Sequence, residues 1–115
     1  MKPKTMPSMR EKKRYVTFRL HSAVRPIGFA DARGAMLNSM LCWMGEEGFS
    51  RSRVHMIRNL WHQGSQTGWL ACSPDCVDSV KVSMALVHQI GDERVVIRSL
   101  RVSGTIRSGK SKLTD

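Results

Sequence analysis

The chain lacks the features of a membrane-spanning protein or of a familiar enzyme. It has no run of about 18 consecutive apolar residues, which is the length that a helix needs to cross a bilayer. Its charged N-terminus has no apolar segment behind it, so we expect no secretory signal. No Ser/His/Asp or Cys/His set suggests a protein active site.

Cysteine is also scarce, with three residues at positions 42, 72 and 76. Three thiols cannot all pair within one chain. Cys72 and Cys76 have the spacing of half a metal site, but no second cysteine pair follows, and the four histidines are not spaced as complementary ligands. We therefore expect reduced thiols in a cytoplasmic protein, with no metal bound by the protein.

Acidic residues are few, with 9 Asp and Glu against 19 Lys and Arg, and the net charge is +10. The imbalance is concentrated at the two ends: residues 1–19 contain a single acid, Glu11, and residues 94–112 contain none. Such a distribution favours a polyanionic partner. Nucleic acid is preferred to membrane because no strongly amphipathic basic helix accompanies the charge.

Residues 104–111, Gly-Thr-Ile-Arg-Ser-Gly-Lys-Ser, match the spacing of a phosphate-binding P-loop. A working P-loop needs a long helix directly after it. Only four residues follow Ser111, and a helix that short is not stable. The segment is therefore interpreted as part of a basic tail.

Hydrophobic periodicity predicts the secondary structure. Val16, Phe18 and Leu20 alternate with polar residues, as in a half-buried strand. The full set of predicted elements is a strand at 13–20, a loop at 22–29, a helix at 31–47 ended by Gly48, strands at 54–62 and 66–72, a helix at 73–90, and a strand at 94–103 with a bulge near Ser99.

The order β-α-β-β-α-β is that of a ferredoxin-like, or RRM-like, α+β fold, in which an antiparallel sheet carries helices on one face. We expect one domain over residues 13–104, between a basic N-terminal segment at 1–12 and a basic C-terminal tail at 105–115. The stripe of Met36, Met40 and Met44 is expected in the core.

RRM-like sheets often bind RNA by stacking bases on aromatic side chains of the third strand. Here the stretch Thr67–Cys72 supplies Gly68 and a single aromatic residue, Trp69. The match to the stacking motif is weak, so we expect Trp69 to pack against protein rather than against bases.

Three stretches carry a resemblance to a known family. They are residues 10–18 (REKKRYVTF), residues 72–73 with 77–81 (CS and VDSVK), and residues 94–106 (RVVIRSLRVSGTI). On these stretches the chain resembles the archaeal ribonuclease P protein component 2 family, over about residues 9–113. The last stretch also accounts for the P-loop match, since the family's ending happens to be followed by Gly-Lys-Ser.

The resemblance implies a non-catalytic subunit of a ribonucleoprotein whose RNA removes the 5′ leader from precursor tRNA. The implied partners are the ribonuclease P RNA, protein component 3, the other protein subunits and a second copy in a two-plus-two assembly, with precursor tRNA contacted indirectly and no membrane. No cofactor is expected on the protein, and Mg²⁺ is expected to be held by the RNA. Two pairs of acids, Glu46 with Glu47 and Asp75 with Asp78, are interpreted as charges near helix ends rather than as paired catalytic acids or metal ligands.

Within this framework we expect basic side chains at both ends of the domain to bind RNA phosphates. The predicted RNA-binding residues are Lys12, Lys13, Arg14, Arg19, Arg98, Arg101, Arg107, Lys110 and Lys112. A stand-alone RNA-binding or RNA-chaperone module is the alternative function. A small ferredoxin-like enzyme or metal-sensing regulator is less consistent with the sequence, because ligand residues are not clustered.

Overall fold

A computed structural model describes residues 12–105 as one antiparallel sheet with two helices. Its elements are β1 (Arg14–Ser22), α1 (Phe29–Ser52), β2 (His55–Met56), β3 (Thr67–Cys72), α2 (Val77–Leu86), β4 (Gln89–Ile90) and β5 (Glu93–Ser103), with 3₁₀ turns at Arg58–Leu60 and Pro74–Cys76. The strand order is β2-β3-β1-β5-β4. The first four strands in this order form the predicted ferredoxin-like arrangement, which is confirmed, and β4 adds a fifth strand at the edge. Within the described part, neither helix is long and apolar enough to cross a membrane.

Alternation along β1 determines which face of the sheet is buried. Val16, Phe18 and Leu20 are at most 2% exposed and belong to one core cluster with buried residues of both helices. Met36 and Met40 of α1 lie in this core with no exposed surface, and Met44 packs against its margin. The predicted role of the methionine stripe in the core is therefore confirmed.

Helix α1 is longer at both ends than the sequence predicts. It begins at Phe29, so Asp31 lies in the first turn instead of capping it, and it continues past Gly48 to Ser52. The helix is interrupted at Gly45, whose φ of 79° is readily available only to glycine. Arg53, in the left-handed conformation, ends the helix and donates its backbone N–H to the Ser50 carbonyl.

The predicted strand at 54–62 is mostly wrong. His55 and Met56 pair with β3, the chain then forms the first 3₁₀ turn, and His62 returns to β3 as an isolated bridge to Thr67. This departure from the sheet places the Trp61 ring 6.3 Å from the Phe18 ring and 6.0 Å from the Phe29 ring, centroid to centroid. Gly68 makes room for the contact, because a Cβ atom there would lie 2.8 Å from Trp61.

The second helix is shorter at both ends than the sequence predicts. A 3₁₀ turn follows Ser73, α2 begins at Val77, and the helix ends at Leu86 instead of Ile90. Ile90 is buried as part of β4, which pairs with β5 through a tight turn at Gly91, where φ is 61°. Gln89 and Ile90, which the sequence assigns to the end of the helix, thus form an edge strand with Ile90 on its buried side.

The bulge predicted in the last strand is confirmed. Thr17 of β1 pairs with Arg101, whereas the next residue, Phe18, pairs with Ser99. Leu100 is therefore an extra residue on β5, and its side chain is 44% exposed.

Candidate nucleic-acid interface

The sheet has a second face, directed away from α1 and α2, which we call the outer face. Because successive residues of a strand point to opposite sides, the residues of β1 that alternate with the core residues belong to this face. They are Tyr15, Thr17, Arg19 and His21.

Two arginines lie directly opposite each other on the outer face. Arg19 of β1 and Arg98 of β5 are paired across the two strands, and both side chains are exposed. Arg19 donates its Nε–H to the carbonyl oxygen of Ser65 at 3.3 Å. Like charges in directly opposed positions destabilise a sheet, so this pairing is a cost to the fold that an anionic ligand would relieve.

The bulge brings a third arginine to the same face. In a regular strand, residues three apart point to opposite sides, and Arg98 and Arg101 would be separated by the sheet. The extra residue Leu100 shifts the register, so that Arg101 lies opposite Thr17, a buried residue on the outer-face side of β1, while Arg101 itself is exposed. We call Arg19, Arg98 and Arg101 the central arginine group.

Lys12, Lys13 and Arg14 lie at the other end of β1. Arg14 is five residues before Arg19, or about 17 Å along an extended strand. Lys12 and Lys13 are exposed and line a small cavity of about 170 Å³ together with Arg53 and His55. The six predicted residues within the described range therefore form two groups of three. We call Lys12, Lys13 and Arg14, together with the neighbouring Arg53, the strand-end basic group.

The remaining predicted residues, Arg107, Lys110 and Lys112, lie outside the described residues. The end of β5 is nevertheless beside the strand-end basic group, because Ser103 pairs with Tyr15. The position of a Cβ atom on Gly104 would be 3.9 Å from the Arg14 guanidinium. The antiparallel pairing of β1 and β5 thus joins the beginning and the end of the domain.

Sequence reasoning missed three exposed basic or titratable side chains near these groups: His21, Arg53 and His55. His21 lies two residues beyond Arg19, so the alternation of β1 could have identified it as outward-facing. Arg53 and His55 are brought to the strand ends by the extension of α1 to Ser52. No local pattern predicted that extension.

Trp69 is only 3% exposed and lies opposite Thr17 on the outer face. Neither ring face of Trp69 is therefore available to a base, which confirms the prediction that this residue packs against protein. Its neighbour Ala71 is fully buried.

The cysteines do not form a reactive or metal-binding centre in the described region. Burial, with a smaller contribution from negative charge at Cys76 and Asp75, raises the pKa of the Cys72 thiol to about 11. Burial and Asp75 also raise the pKa of Cys76. Both thiols are therefore protonated near neutral pH. Between residues 12 and 105, no group of three or more His, Cys, Asp or Glu side chains could hold a metal ion.

Two large apolar side chains of the helix layer are exposed beside a groove. Trp43 of α1 is 53% exposed and Leu86 of α2 is 52% exposed. Together with Ala35, Ser39 and Cys42 they line a groove of about 410 Å³ between the helices. Exposed apolar patches of this kind are typical of protein interaction sites.

Comparison with known proteins gives a consistent result. A ribonuclease P protein component 2 of Pyrococcus furiosus is 33% identical over 112 residues, which is 96% of this chain and 91% of the relative. The protein of the same name from Archaeoglobus fulgidus is 33% identical over 106 residues, or 92% of each chain. A chain in a cryo-EM structure of yeast ribonuclease MRP superposes with a TM-score of 0.63 over 91% of this chain at 12% identity, and so shares its fold. The model of the Rpp14/Pop5 family matches residues 14–114. The resemblance expected from the sequence is confirmed, and the chain belongs to the Rpp14/Pop5 family.

Proposed function

We propose that this chain is a non-catalytic protein subunit of ribonuclease P, which supports the catalytic RNA in removing the 5′ leader from precursor tRNA. The observation that carries the proposal is the similarity to ribonuclease P protein component 2 of several archaea over nearly the whole length of both chains. The arginines of the outer face are consistent with it, since they give the domain a surface suited to RNA phosphates.

In this proposal the protein acts by neutralising RNA charge. The central arginine group and the strand-end basic group bind phosphates, together with Arg107, Lys110 and Lys112. Each bound phosphate releases counterions, so RNA segments can approach one another with less Mg²⁺. The RNA holds the Mg²⁺ that cleavage requires, the protein holds no cofactor, and the particle works in the cytoplasm.

A subunit also needs protein contacts. We assign them to the groove beside Trp43 and Leu86, because exposed aromatic residues in apolar pockets are typical anchors of interfaces. Protein component 3 is the partner proposed here, and a second copy of this chain in a two-plus-two assembly completes the arrangement.

The test is precursor-tRNA cleavage at low Mg²⁺ by the cognate ribonuclease P RNA, with protein component 3 present and this chain added or withheld. Leader removal that requires both proteins is the expected result. Tight, salt-sensitive RNA binding without any effect on cleavage would contradict the proposal and favour a stand-alone RNA-binding or RNA-chaperone module.

A further inference from the structure

The central arginine group has no acidic partner in the described structure. Glu93, the sole acid of β5, lies at the far end of the strand, where its Oε2 is 3.1 Å from the Nε of Arg25. Neither β1 nor β3 contains a carboxylate. The three guanidinium groups thus share a stretch of sheet with no counter-charge from the strands that carry them.

The same face lacks an exposed aromatic ring. All seven aromatic residues of the chain lie between residues 12 and 105. The one whose side chain is more than half exposed is Trp43, which belongs to the helix layer. On the outer face, Trp69 is buried and Tyr15 is only partly exposed. Proteins that bind single-stranded RNA usually combine positive charge with rings on which the bases stack. This surface offers the charge without the rings.

The spacing of the group also suits a phosphate backbone. Arg19 and Arg98 are on adjacent strands, which lie about 4.8 Å apart, and Arg101 is opposite Thr17, about 7 Å along β1 from Arg19. An arginine has five N–H donors. Arg19 uses its Nε–H on the Ser65 carbonyl, and its remaining donors can form the two-pronged contact that guanidinium groups make with phosphate.

We infer that the central arginine group binds the phosphate backbone of base-paired RNA rather than a single strand. The inference rests on the proposed function and specifies the class of RNA that this face contacts. In a base-paired stem the bases are already stacked on one another. A protein surface that binds only the phosphates therefore needs no aromatic side chains for the bases to stack on. A single strand would give the same phosphate contacts but would leave its bases without stacking partners on the protein.

The experiment measures the affinity of the full-length chain for two RNA probes over a range of salt concentrations. One probe is a hairpin with a stem of about 16 base pairs, and the other is an unstructured oligouridine with the same number of phosphates. The variant is Arg19→Ala/Arg98→Ala. Its control, Arg33→Ala/Lys81→Ala, removes two exposed charges from α1 and α2 and so changes the net charge equally.

We expect the wild-type chain to bind the hairpin more tightly than the oligouridine. The Arg19→Ala/Arg98→Ala variant should flatten the slope of log affinity against log salt for the hairpin by about 2, since each lost phosphate contact removes about 0.9. The control should leave this slope nearly unchanged. Binding of the single strand as tightly as the hairpin, or an unchanged hairpin slope in the arginine variant, would overturn the inference.

Circular dichroism and thermal unfolding check that the variants are folded. If the alanine pair does not fold, Arg19→Gln/Arg98→Gln keeps the side-chain stems and removes the charges, and it should give the same loss of slope. Arg19→Lys/Arg98→Lys keeps the charges, and it should retain most of the slope.

The cleavage assay separates this inference from the proposed function. Support of precursor-tRNA cleavage without a preference for the hairpin would overturn the inference and leave the proposed function intact. A clear hairpin preference that depends on the arginine pair, in a chain that does not support cleavage, would uphold the inference and contradict the proposed function.

Discussion

Arg19 and Arg98 face each other across the junction of β1 and β5, on the side of the sheet away from the helices. Two positive charges in directly opposed positions repel each other and lower the stability of a sheet by a fraction of a kcal/mol. The two strands stay paired because their other face carries the core, including Leu20 and Ile97. The opposed arginines therefore lower the stability of the free protein but are well placed to bind an anionic ligand.

The first prediction concerns this repulsion. Arg98→Glu replaces it with an opposite-charge pair and should raise the free energy of unfolding by about 0.5 to 1 kcal/mol at low salt, while weakening RNA binding. Arg94→Glu is the control, because Arg94 is on the same strand but lies opposite Gln89. Denaturant unfolding of both variants is the measurement. An equal gain in stability from the two substitutions would show that overall charge, and not the Arg19–Arg98 pair, is responsible.

Among the glycines between residues 12 and 105, Gly68 is the least able to accept a side chain. A Cβ atom there would lie 2.7 Å from the Phe18 ring and 2.8 Å from the Trp61 ring. Gly68→Ala should therefore overpack the core and destabilise the fold by about 2 kcal/mol, with movement of Trp61 visible as a change in fluorescence. Gly64→Ala, where nothing lies within 4 Å of the added atom, should change stability by less than about 0.5 kcal/mol. Similar unfolding midpoints for the two variants would contradict this packing.

The Gln66 side chain links the loop before α1 to the turn before β3. Its buried side chain accepts a hydrogen bond from the Ile27 backbone N–H at 2.7 Å and donates to the carbonyl oxygens of Ile27 and Gln63. Gln66→Ala leaves buried backbone groups without partners and should cost about 2 to 4 kcal/mol. Gln89→Ala removes one exposed side-chain hydrogen bond, to Gly91, and should cost little. Chemical denaturation compares them, and a loss of less than about 1 kcal/mol at Gln66 would show that water replaces these bonds.

Elements with strong alternation could be predicted from the sequence, and elements decided by distant contacts could not. The pattern of Val16, Phe18 and Leu20 placed β1 correctly, and the uneven phase around Ser99 indicated the bulge. By contrast, residues 54–62 looked like a strand, but β2 ends at Met56 and Trp61 packs against Phe18 and Phe29. These contacts join residues more than 30 positions apart in the sequence, so no local pattern reveals them.

The candidate site shows the same division. Its charge was evident from composition, since the two ends hold most of the basic residues. Its geometry was not, because the direct opposition of Arg19 and Arg98 depends on the register of two strands far apart in the sequence. The shift that places Arg101 on the outer face depends on one extra residue, Leu100.

A further prediction concerns stability at high pH. Burial raises the pKa of Cys72 from 9.0 to about 11 in the folded protein, so above pH 9 the unfolded chain releases this proton more readily than the folded one. Folding stability therefore contains a contribution from Cys72 that is complete below pH 9 and falls by about 2 to 3 kcal/mol as the pH rises toward 11. Cys72→Ala should remove that part of the decline.

The measurement is the free energy of unfolding from pH 8 to pH 11 for wild type, Cys72→Ala and the control Cys42→Ala, whose thiol is exposed. The Cys42 variant should follow the wild-type curve. A Cys72 variant whose stability falls as steeply as wild type would show that other groups account for the alkaline decline.

The last prediction tests whether the strand-end basic group also binds RNA. Lys12→Ala/Lys13→Ala/Arg14→Ala should flatten the dependence of log affinity on log salt by about 2 to 3, because each phosphate contact contributes between about 0.7 and 0.9 to the slope. The matched control, Arg33→Ala/Arg51→Ala/Lys81→Ala, removes the same number of charges from exposed positions on the helices. It should lower affinity through net charge while leaving the slope close to wild type. Equal slopes for the two triple variants would mean that RNA responds to the overall charge of the domain and not to this end of the sheet.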